Sequence, residues 1–276
     1  MKIKIVILFL LLANMIAARA ESFQYPTLPD SLKSADDRAS YLLLHYWDCF
    51  NFSDTLQLKD ADNVEQGFVN YVDLLSRLSA QVRSSNLHLA TDSTLSQSVG
   101  IFSTKAFANP DSKKKFESLI DHYLDDPQSP MRDDRTYLLF LRQMKTSPFF
   151  DETEKERIAF KIKTKDKNLP GDVATNFTFT DKDGKQHELK DYKAEKVILY
   201  FYDPECENCH KISAWLAKQT IPPTFTILTV HADDKISDLY SLEAMPSIYL
   251  LDKGNTVVLK DCPPELMVQV VNDWKE

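Results

Sequence analysis

Between residues 36 and 165, apolar side chains recur every three or four positions, which places them on one face of a helix. The clearest stripes are Val64, Phe68, Val72, Leu75, Leu78 and Val82, followed by Phe116, Leu119, Ile120, Tyr123 and Leu124. Asn109-Pro110 precedes the second stripe and predicts a helix start, because proline is tolerated in the first helical turn. The pattern predicts five or six helices with aromatic residues in their core, and few strands.

The pattern changes after a charged segment, 151–167, and a Pro-Gly boundary at 169–172. Val197 to Tyr202 form a continuous apolar run, which is typical of a strand buried on both faces. Strands are predicted over 177–180, 186–189, 196–202, 225–230, 247–251 and 256–260, and helices over 206–218, 236–244 and 264–274. Strands that alternate with helices predict a mixed α/β sheet. We therefore expect an all-α helical domain over 21–165 and an α/β domain over 166–276.

Residues 1–20 have the pattern of a secretory signal peptide. Lys2 and Lys4 precede an apolar run from Ile5 to Ala13, and Ala18-Arg19-Ala20 offers small residues for cleavage. The run is shorter than the roughly 20 residues of a membrane-spanning helix, and a retained membrane anchor is the alternative. Cleavage predicts a periplasmic or otherwise exported protein without a membrane span, in a compartment where disulfides persist.

The composition excludes several classes of function. The chain has 276 residues and a formal net charge of −8, so it offers no broad basic surface for nucleic acid. Its 5 glycines form neither G-x-G-x-x-G nor a P-loop, which excludes these phosphate-binding motifs. The histidines and paired aspartates show no metal-ligand spacing, so we expect no metal site.

The motif that carries chemistry is Cys206-Glu207-Asn208-Cys209, between the predicted buried strand and a helix. Unpaired N–H groups and the dipole at a helix N-terminus stabilise a thiolate, and the spacing brings the second sulfur within disulfide distance. The first thiolate then attacks a substrate disulfide and the second resolves the mixed disulfide. The motif predicts disulfide exchange with protein thiols and disulfides, with Cys206 attacking and Cys209 resolving. This redox-active pair needs no other cofactor.

Other interpretations of the cysteines stay open. A structural zinc site needs a second pair of ligands, whereas Cys49 and Cys262 stand alone in the sequence. Those two cysteines are either thiols or a disulfide that joins the two domains. Residues 206–210 also read C-x-x-C-H, the c-type haem attachment pattern, with Met245 or Met267 as a second axial ligand. The buried strand before the motif argues against a haem domain, which is mainly helical.

Three segments of the second half resemble a known family: 171–177, 200–209 with both cysteines, and 244–252 with Met245-Pro246 before a strand. They resemble the thioredoxin superfamily, and within it the periplasmic TlpA-like and ResA-like thiol–disulfide oxidoreductases. The resemblance implies a cis bond before Pro246, which exposes the backbone of Met245 beside the attacking sulfur. An extended substrate is then expected to bind at Met245 and Pro246, and a membrane electron donor is a further candidate partner.

The helical half also carries a resemblance, chiefly in 41–52 and 65–75. It is similar to a helical domain that precedes thioredoxin domains in exported proteins of Gram-negative anaerobes, and this implies no activity. The alternative function is therefore a partner-binding protein of the cell envelope, in which the thioredoxin domain is a scaffold. Peroxiredoxin-like peroxide reduction is a further alternative, but Asp203 stands where that chemistry needs Thr or Ser.

Two positions depart from the family pattern. Tyr200 replaces a buried acid, so proton transfer to the resolving thiol is expected to be weaker, or to pass through Glu205, Glu207 or water. Glu205 also replaces a frequent tryptophan. Glu205 and Glu207 raise the pKa of Cys206, and His210 opposes this effect. The charges predict a pKa near neutral and a mildly reducing or exchange-type centre.

Overall fold

The structure is a computed structural model, and it describes residues 23–84, 88–180, 184–193 and 195–274, with the backbone alone over 81–84 and 88–92. The signal peptide predicted over 1–20 lies outside the described residues. The chain separates into two compact units, Met1–Gln143 and Met144–Glu276. Within the described ranges, no helix is both long and apolar enough to cross a membrane.

The N-terminal unit is helical, as the apolar periodicity predicts. Its helices are α1 (Ala35–His45), α2 (Thr55–Lys59), α3 (Ala61–Ser84), α4 (His88–Ala106), α5 (Pro110–Leu124) and α6 (Asp134–Thr146). The side chain of Asn109 accepts the N–H groups of Asp111 and Ser112, with Pro110 at the start of α5, so the predicted helix start is correct. Seven helices, not five or six, lie within the described residues up to 165, because α2 is short and α4 has little apolar periodicity.

Aromatic rings form the core of this unit. Trp47 is 3% exposed, and its ring centroid lies 5.6, 5.2 and 5.5 Å from those of Tyr71, Phe102 and Phe116. Phe23 contacts the same indole from the extended segment before α1, at 5.1 Å. Because these rings come from α3, α4, α5 and the N-terminal arm, their packing ties separate elements together.

The C-terminal unit contains a mixed sheet flanked by helices, which confirms the predicted α/β class. Its elements are α7 (Glu152–Lys165), β1 (Thr178–Thr180), β2 (Gln186–Glu188), β3 (Lys196–Tyr202), α8 (Glu207–Leu216), β4 (Phe225–His231), α9 (Asp234–Leu239), β5 (Ser247–Asp252), β6 (Thr256–Leu259) and α10 (Pro264–Asn272). The main sheet has the order β4-β3-β5-β6. Strand β3 pairs parallel with β4 and antiparallel with β5, while β1 and β2 form a separate antiparallel pair.

Strand β3 is central because both of its faces are apolar. Val197, Leu199 and Phe201 lie in one buried cluster, whereas Ile198 and Tyr200 lie in the other. This alternation follows from the two-residue period of a strand. The predicted two-faced burial is therefore correct, and the strand delivers its carboxyl end to the loop that carries the cysteines.

Helix α7 carries the predicted solvated charges. Its N-terminus has a capping box between Asp151 and Glu154. Half of the charged residues of the helix are exposed, while Ile158 and Lys165 are buried. The helix groups with the C-terminal unit in the structure. The domain boundary near residue 165 stays a prediction. The two compact units are defined by their spatial contacts, and such units need not end where the sequence pattern changes.

Candidate active site

The loop between β3 and α8 fixes the position of Cys206. The Asp203 carboxylate accepts the Glu205 N–H at 2.8 Å, and the Asp203 carbonyl accepts the Cys206 N–H at 3.1 Å. Cys206 is then the N-cap of α8, and its Sγ accepts the Cys209 N–H at 3.1 Å. An N–H group directed at this sulfur, together with the positive end of the helix dipole, favours a thiolate there.

The two cysteines are joined in a disulfide, with their Cα atoms 5.2 Å apart. Cys209 is only 2% exposed, whereas Cys206 is partly exposed. An external sulfur therefore has access to Cys206 and not to Cys209. This asymmetry is what an attacking and a resolving cysteine require.

The peptide bond between Met245 and Pro246 is cis, as the resemblance implies. The Met245 carbonyl oxygen lies 3.8 Å from Cys206 Sγ, and β5 begins one residue after Pro246. The structure thus brings Met245 to the sulfur across 39 residues of sequence. The backbone of Met245 therefore lies next to the exposed sulfur, and substrate binding there stays a prediction.

Asn208 also belongs to this group, although no sequence signal singled it out. Its Nδ2 donates a hydrogen bond to the Met245 carbonyl at 3.1 Å, and the side chain is otherwise exposed. The oxygen of Met245 therefore has both Asn208 and Cys206 as neighbours. Motif spacing could not reveal this contact, because its two partners are 37 residues apart.

Tyr200 lies beneath the resolving cysteine. It is 4% exposed, and its hydroxyl donates a hydrogen bond to the Cys209 carbonyl at 2.7 Å. Burial raises the pKa of Tyr200 above the ordinary value of a phenol, so the group stays protonated at neutral pH. Tyr200 thus replaces the acid of the family pattern with a neutral donor that holds the first turn of α8.

Glu205, Glu207 and His210, the residues predicted to tune the pKa of Cys206, lie near it in the sequence. None of them contacts Cys206 Sγ among the described contacts. Glu207 pairs with Lys211 at 2.7 Å, and both side chains are well exposed, so solvent screens this pair. His210 Nε2 bonds with the Pro204 carbonyl at 2.9 Å. The side chain of Glu205 is exposed. Their predicted effect on the pKa of Cys206 therefore stays a prediction.

The remaining predictions for the cysteines concern metals and pairing. Among the described residues, no group of three or more His, Cys, Asp and Glu side chains could hold a metal ion. Cys49 is exposed and Cys262 is buried, and neither takes part in a disulfide in the described structure. The c-type haem interpretation of residues 206–210 stays an alternative, which would need both motif sulfurs as thioethers.

A four-stranded mixed sheet, a C-x-x-C motif at a helix N-terminus and a cis-proline beside the first sulfur define the C-terminal unit as a thioredoxin-like domain. The chain belongs to the family described as "Domain of unknown function (DUF5106)", whose model matches residues 12–168. The model of the AhpC/TSA family matches residues 170–221, which include both cysteines of the motif.

Two similar proteins extend this result. The chain is 29% identical, over 125 aligned residues, to "Thiol-disulfide oxidoreductase ResA" of Bacillus cereus. The alignment covers 35% of this chain and 71% of that protein. It is 26% identical to a thioredoxin-like protein from Bacteroides caccae of known crystal structure, with a TM-score of 0.66. That similarity covers 93% of this chain and 100% of the other. By homology, the chain is related to thiol–disulfide oxidoreductases.

Proposed function

We propose that the protein is an exported thiol–disulfide oxidoreductase that exchanges disulfides with protein substrates through Cys206 and Cys209. The observation that carries the proposal is the difference in access between the two sulfurs. Cys206 is partly exposed at the helix N-cap, while Cys209 is buried one turn below it. The similarity to a protein named as a thiol–disulfide oxidoreductase supports this function, and the signal-peptide pattern of residues 1–20 supports export.

In the disulfide form seen here, the protein accepts electrons from a substrate dithiol. A substrate thiolate attacks Cys206 Sγ, the Cys206–Cys209 bond breaks, and Cys209 leaves as a thiolate. The second substrate thiolate then attacks the substrate sulfur of the mixed disulfide, which closes the substrate disulfide and releases Cys206. Two electrons pass from the substrate to the protein, and each sulfur that leaves takes up a proton according to its pKa.

The reverse reaction reduces a substrate disulfide. The Cys206 thiolate attacks one substrate sulfur and expels the other as a thiolate, and Cys209 then attacks Cys206 Sγ to release the second. The protein ends as the disulfide and needs a dithiol to reduce it again. We propose that a membrane electron donor supplies this dithiol, and that substrate chains lie along Met245 and Pro246.

Reduction of insulin disulfides with dithiothreitol as the dithiol tests the proposal. The wild type should accelerate the reaction, and Cys206→Ser should not, because the attacking sulfur is gone. Cys49→Ser is the matched control, since it removes an exposed cysteine of the N-terminal unit and should keep full activity. Activity in Cys206→Ser equal to that of the wild type would reject the assignment of the nucleophile.

A second experiment separates the two cysteines. Cys209→Ala keeps the attacking thiol but removes the group that resolves the mixed disulfide. Covalent adducts with proteins that carry a disulfide should therefore accumulate on Cys206, because its thiolate attacks one substrate sulfur and expels the other. Non-reducing electrophoresis of exported proteins from cells that produce the variant would detect these adducts. Equal adduct formation by Cys206→Ser would show that the trapping does not depend on the proposed chemistry.

A wild-type protein that neither reduces nor oxidises thiol substrates would favour the scaffold alternative. In that case the helical half would recognise a partner, and Cys206 and Cys209 would not catalyse disulfide exchange.

A further inference from the structure

The Met245 carbonyl is the backbone acceptor closest to the exposed sulfur in the contacts described above. Asn208 Nδ2 lies 3.1 Å from its oxygen, and Cys206 Sγ lies 3.8 Å from the same atom. In the disulfide form Cys206 has no S–H to donate, so Asn208 supplies the hydrogen at this oxygen. By contrast, the Met245 N–H donates to no atom of the described residues. The Met245 N–H is therefore available to a substrate, whereas the Met245 carbonyl already accepts a hydrogen bond from Asn208.

An extended polypeptide that delivers a sulfur to Cys206 comes within reach of this oxygen, which lies 3.8 Å from Cys206 Sγ. A chain that pairs with a backbone edge uses both groups of the edge, because it offers a carbonyl to the N–H and an N–H to the carbonyl. Asn208 belongs to α8, and its amide donates to the Met245 carbonyl next to Cys206 Sγ, the sulfur that the substrate approaches. The oxygen has two lone pairs, so competition arises at the side of it that faces Asn208 and Cys206, where a substrate bound to Cys206 also lies.

We propose that Asn208 is a specificity-determining residue that covers the Met245 carbonyl in the resting protein and is displaced by the main chain of a polypeptide substrate. The inference rests on the proposed disulfide exchange and adds how its substrates are selected. A polypeptide replaces the lost Asn208 bond with one of its own. A small disulfide without an amide N–H has no bond to offer and gains nothing from this carbonyl.

The role of Asn208 differs from control of sulfur reactivity. A residue that only changes the reactivity of Cys206 would alter the rates with all disulfides by a similar factor. A residue that covers the docking carbonyl changes the ratio between polypeptide and small substrates. This ratio is the diagnostic quantity, because general effects on the sulfur cancel in it.

The experiment compares kcat/KM for insulin with kcat/KM for bis(2-hydroxyethyl) disulfide in the wild type and Asn208→Ala. Removal of a competing exposed hydrogen bond should shift the ratio toward insulin by about two- to fivefold, mainly through a lower KM for insulin. Asn272→Ala is the matched control. Its amide makes an exposed bond of the same kind, to the Val268 carbonyl at 2.9 Å on α10, and its loss should leave the ratio unchanged.

An unchanged ratio in Asn208→Ala would overturn the inference, since it would mean that both donors share the oxygen without competition. A ratio shifted away from insulin would also overturn it, because Asn208 would then assist the substrate. In either case the wild type still reduces insulin, and the proposed function stands. Absence of activity in the wild type with both substrates would instead refute the proposed function. Thermal melting of each variant by circular dichroism confirms that the ratio is measured on folded protein.

Discussion

The ion pair between Lys165 and Glu243 ties the end of α7 to the loop before the cis-proline. Lys165 is 4% exposed, and its Nζ lies 2.7 and 2.8 Å from the two carboxylate oxygens of Glu243. The Lys165 carbonyl in turn accepts a hydrogen bond from Lys260 Nζ at 2.6 Å. Glu243 stands two residues before Met245, so this pair helps to set the position of the proposed docking residue.

The two partners differ in exposure, and this difference predicts unequal costs. The Glu243 side chain is 25% exposed, so in Lys165→Met its carboxylate is partly solvated, and the C-terminal unit should lose about 1–2 kcal/mol of stability. In Glu243→Gln the buried Lys165 ammonium loses the negative charge of Glu243, and the loss of stability should reach about 3–5 kcal/mol. The double variant Lys165→Met/Glu243→Gln should be more stable than Glu243→Gln alone, because the Lys165 ammonium is then no longer buried opposite a neutral partner.

Hydrogen exchange of the β5 amides under native conditions is the assay, since these amides report the opening of the C-terminal unit alone. Lys190→Met is the matched control, because it breaks an exposed ion pair of the same 2.7 Å length with Glu188 and should cause no measurable loss. Equal stability of Glu243→Gln and the wild type would refute the reasoning. So would strictly additive effects of the two substitutions, since partners in contact should show coupling.

The remaining predictions concern local packing and pH. Tyr200→Phe should lower stability by about 0.5–1.5 kcal/mol in urea denaturation, because the hydrogen bond to the Cys209 carbonyl is lost; an unchanged midpoint would contradict that bond. Gly67→Ala should destabilise the N-terminal unit by about 1–3 kcal/mol despite better helix propensity, because a Cβ there would lie 2.3 Å from the Phe23 ring; a more stable variant would contradict this packing. Burial raises the pKa of Tyr71 above the ordinary value of a phenol, so the stability that it contributes is complete below about pH 10 and is lost as the pH rises further. Denaturation midpoints that stay constant well above that pH would contradict this sign.

The sequence was most informative where the residues that determine a structural feature lie within the same short segment as the feature itself. Every residue of the β3 run from 197 to 202 is apolar, and successive residues of a strand point to opposite faces of the sheet. The burial of β3 in two clusters follows from that pattern alone. The start of α5 at Asn109-Pro110 is likewise local, because the cap and the proline lie next to the turn they stabilise. The cis bond at Met245-Pro246 is different, since it was expected from the family resemblance and not from local residues.

Contacts between distant segments account for what the sequence did not reveal. The Asn208–Met245 and Lys165–Glu243 contacts join residues 37 and 78 positions apart, and no periodicity encodes such pairings. Helix α9 ends at Leu239 and not at 244 as predicted, since Tyr240 turns to an extended conformation and buries its ring in the core. There its hydroxyl donates to the Thr175 carbonyl, so tertiary packing overrides local helix propensity.

The chemistry of the site and its selectivity therefore have different origins in this chain. A C-x-x-C motif at a helix N-terminus provides a reactive sulfur pair in any protein of this fold, because the cap and the dipole are properties of the helix. The distinctive contacts here come from outside the two cysteines: Tyr200 beneath Cys209, Asn208 on the Met245 carbonyl, and Lys165 on Glu243. Each acts on a backbone group or on the loop that positions one, and none touches the sulfur of Cys206 in the described contacts. Substitutions at these positions should therefore change which disulfides the protein selects, and how firmly the site is held, more than whether Cys206 can react.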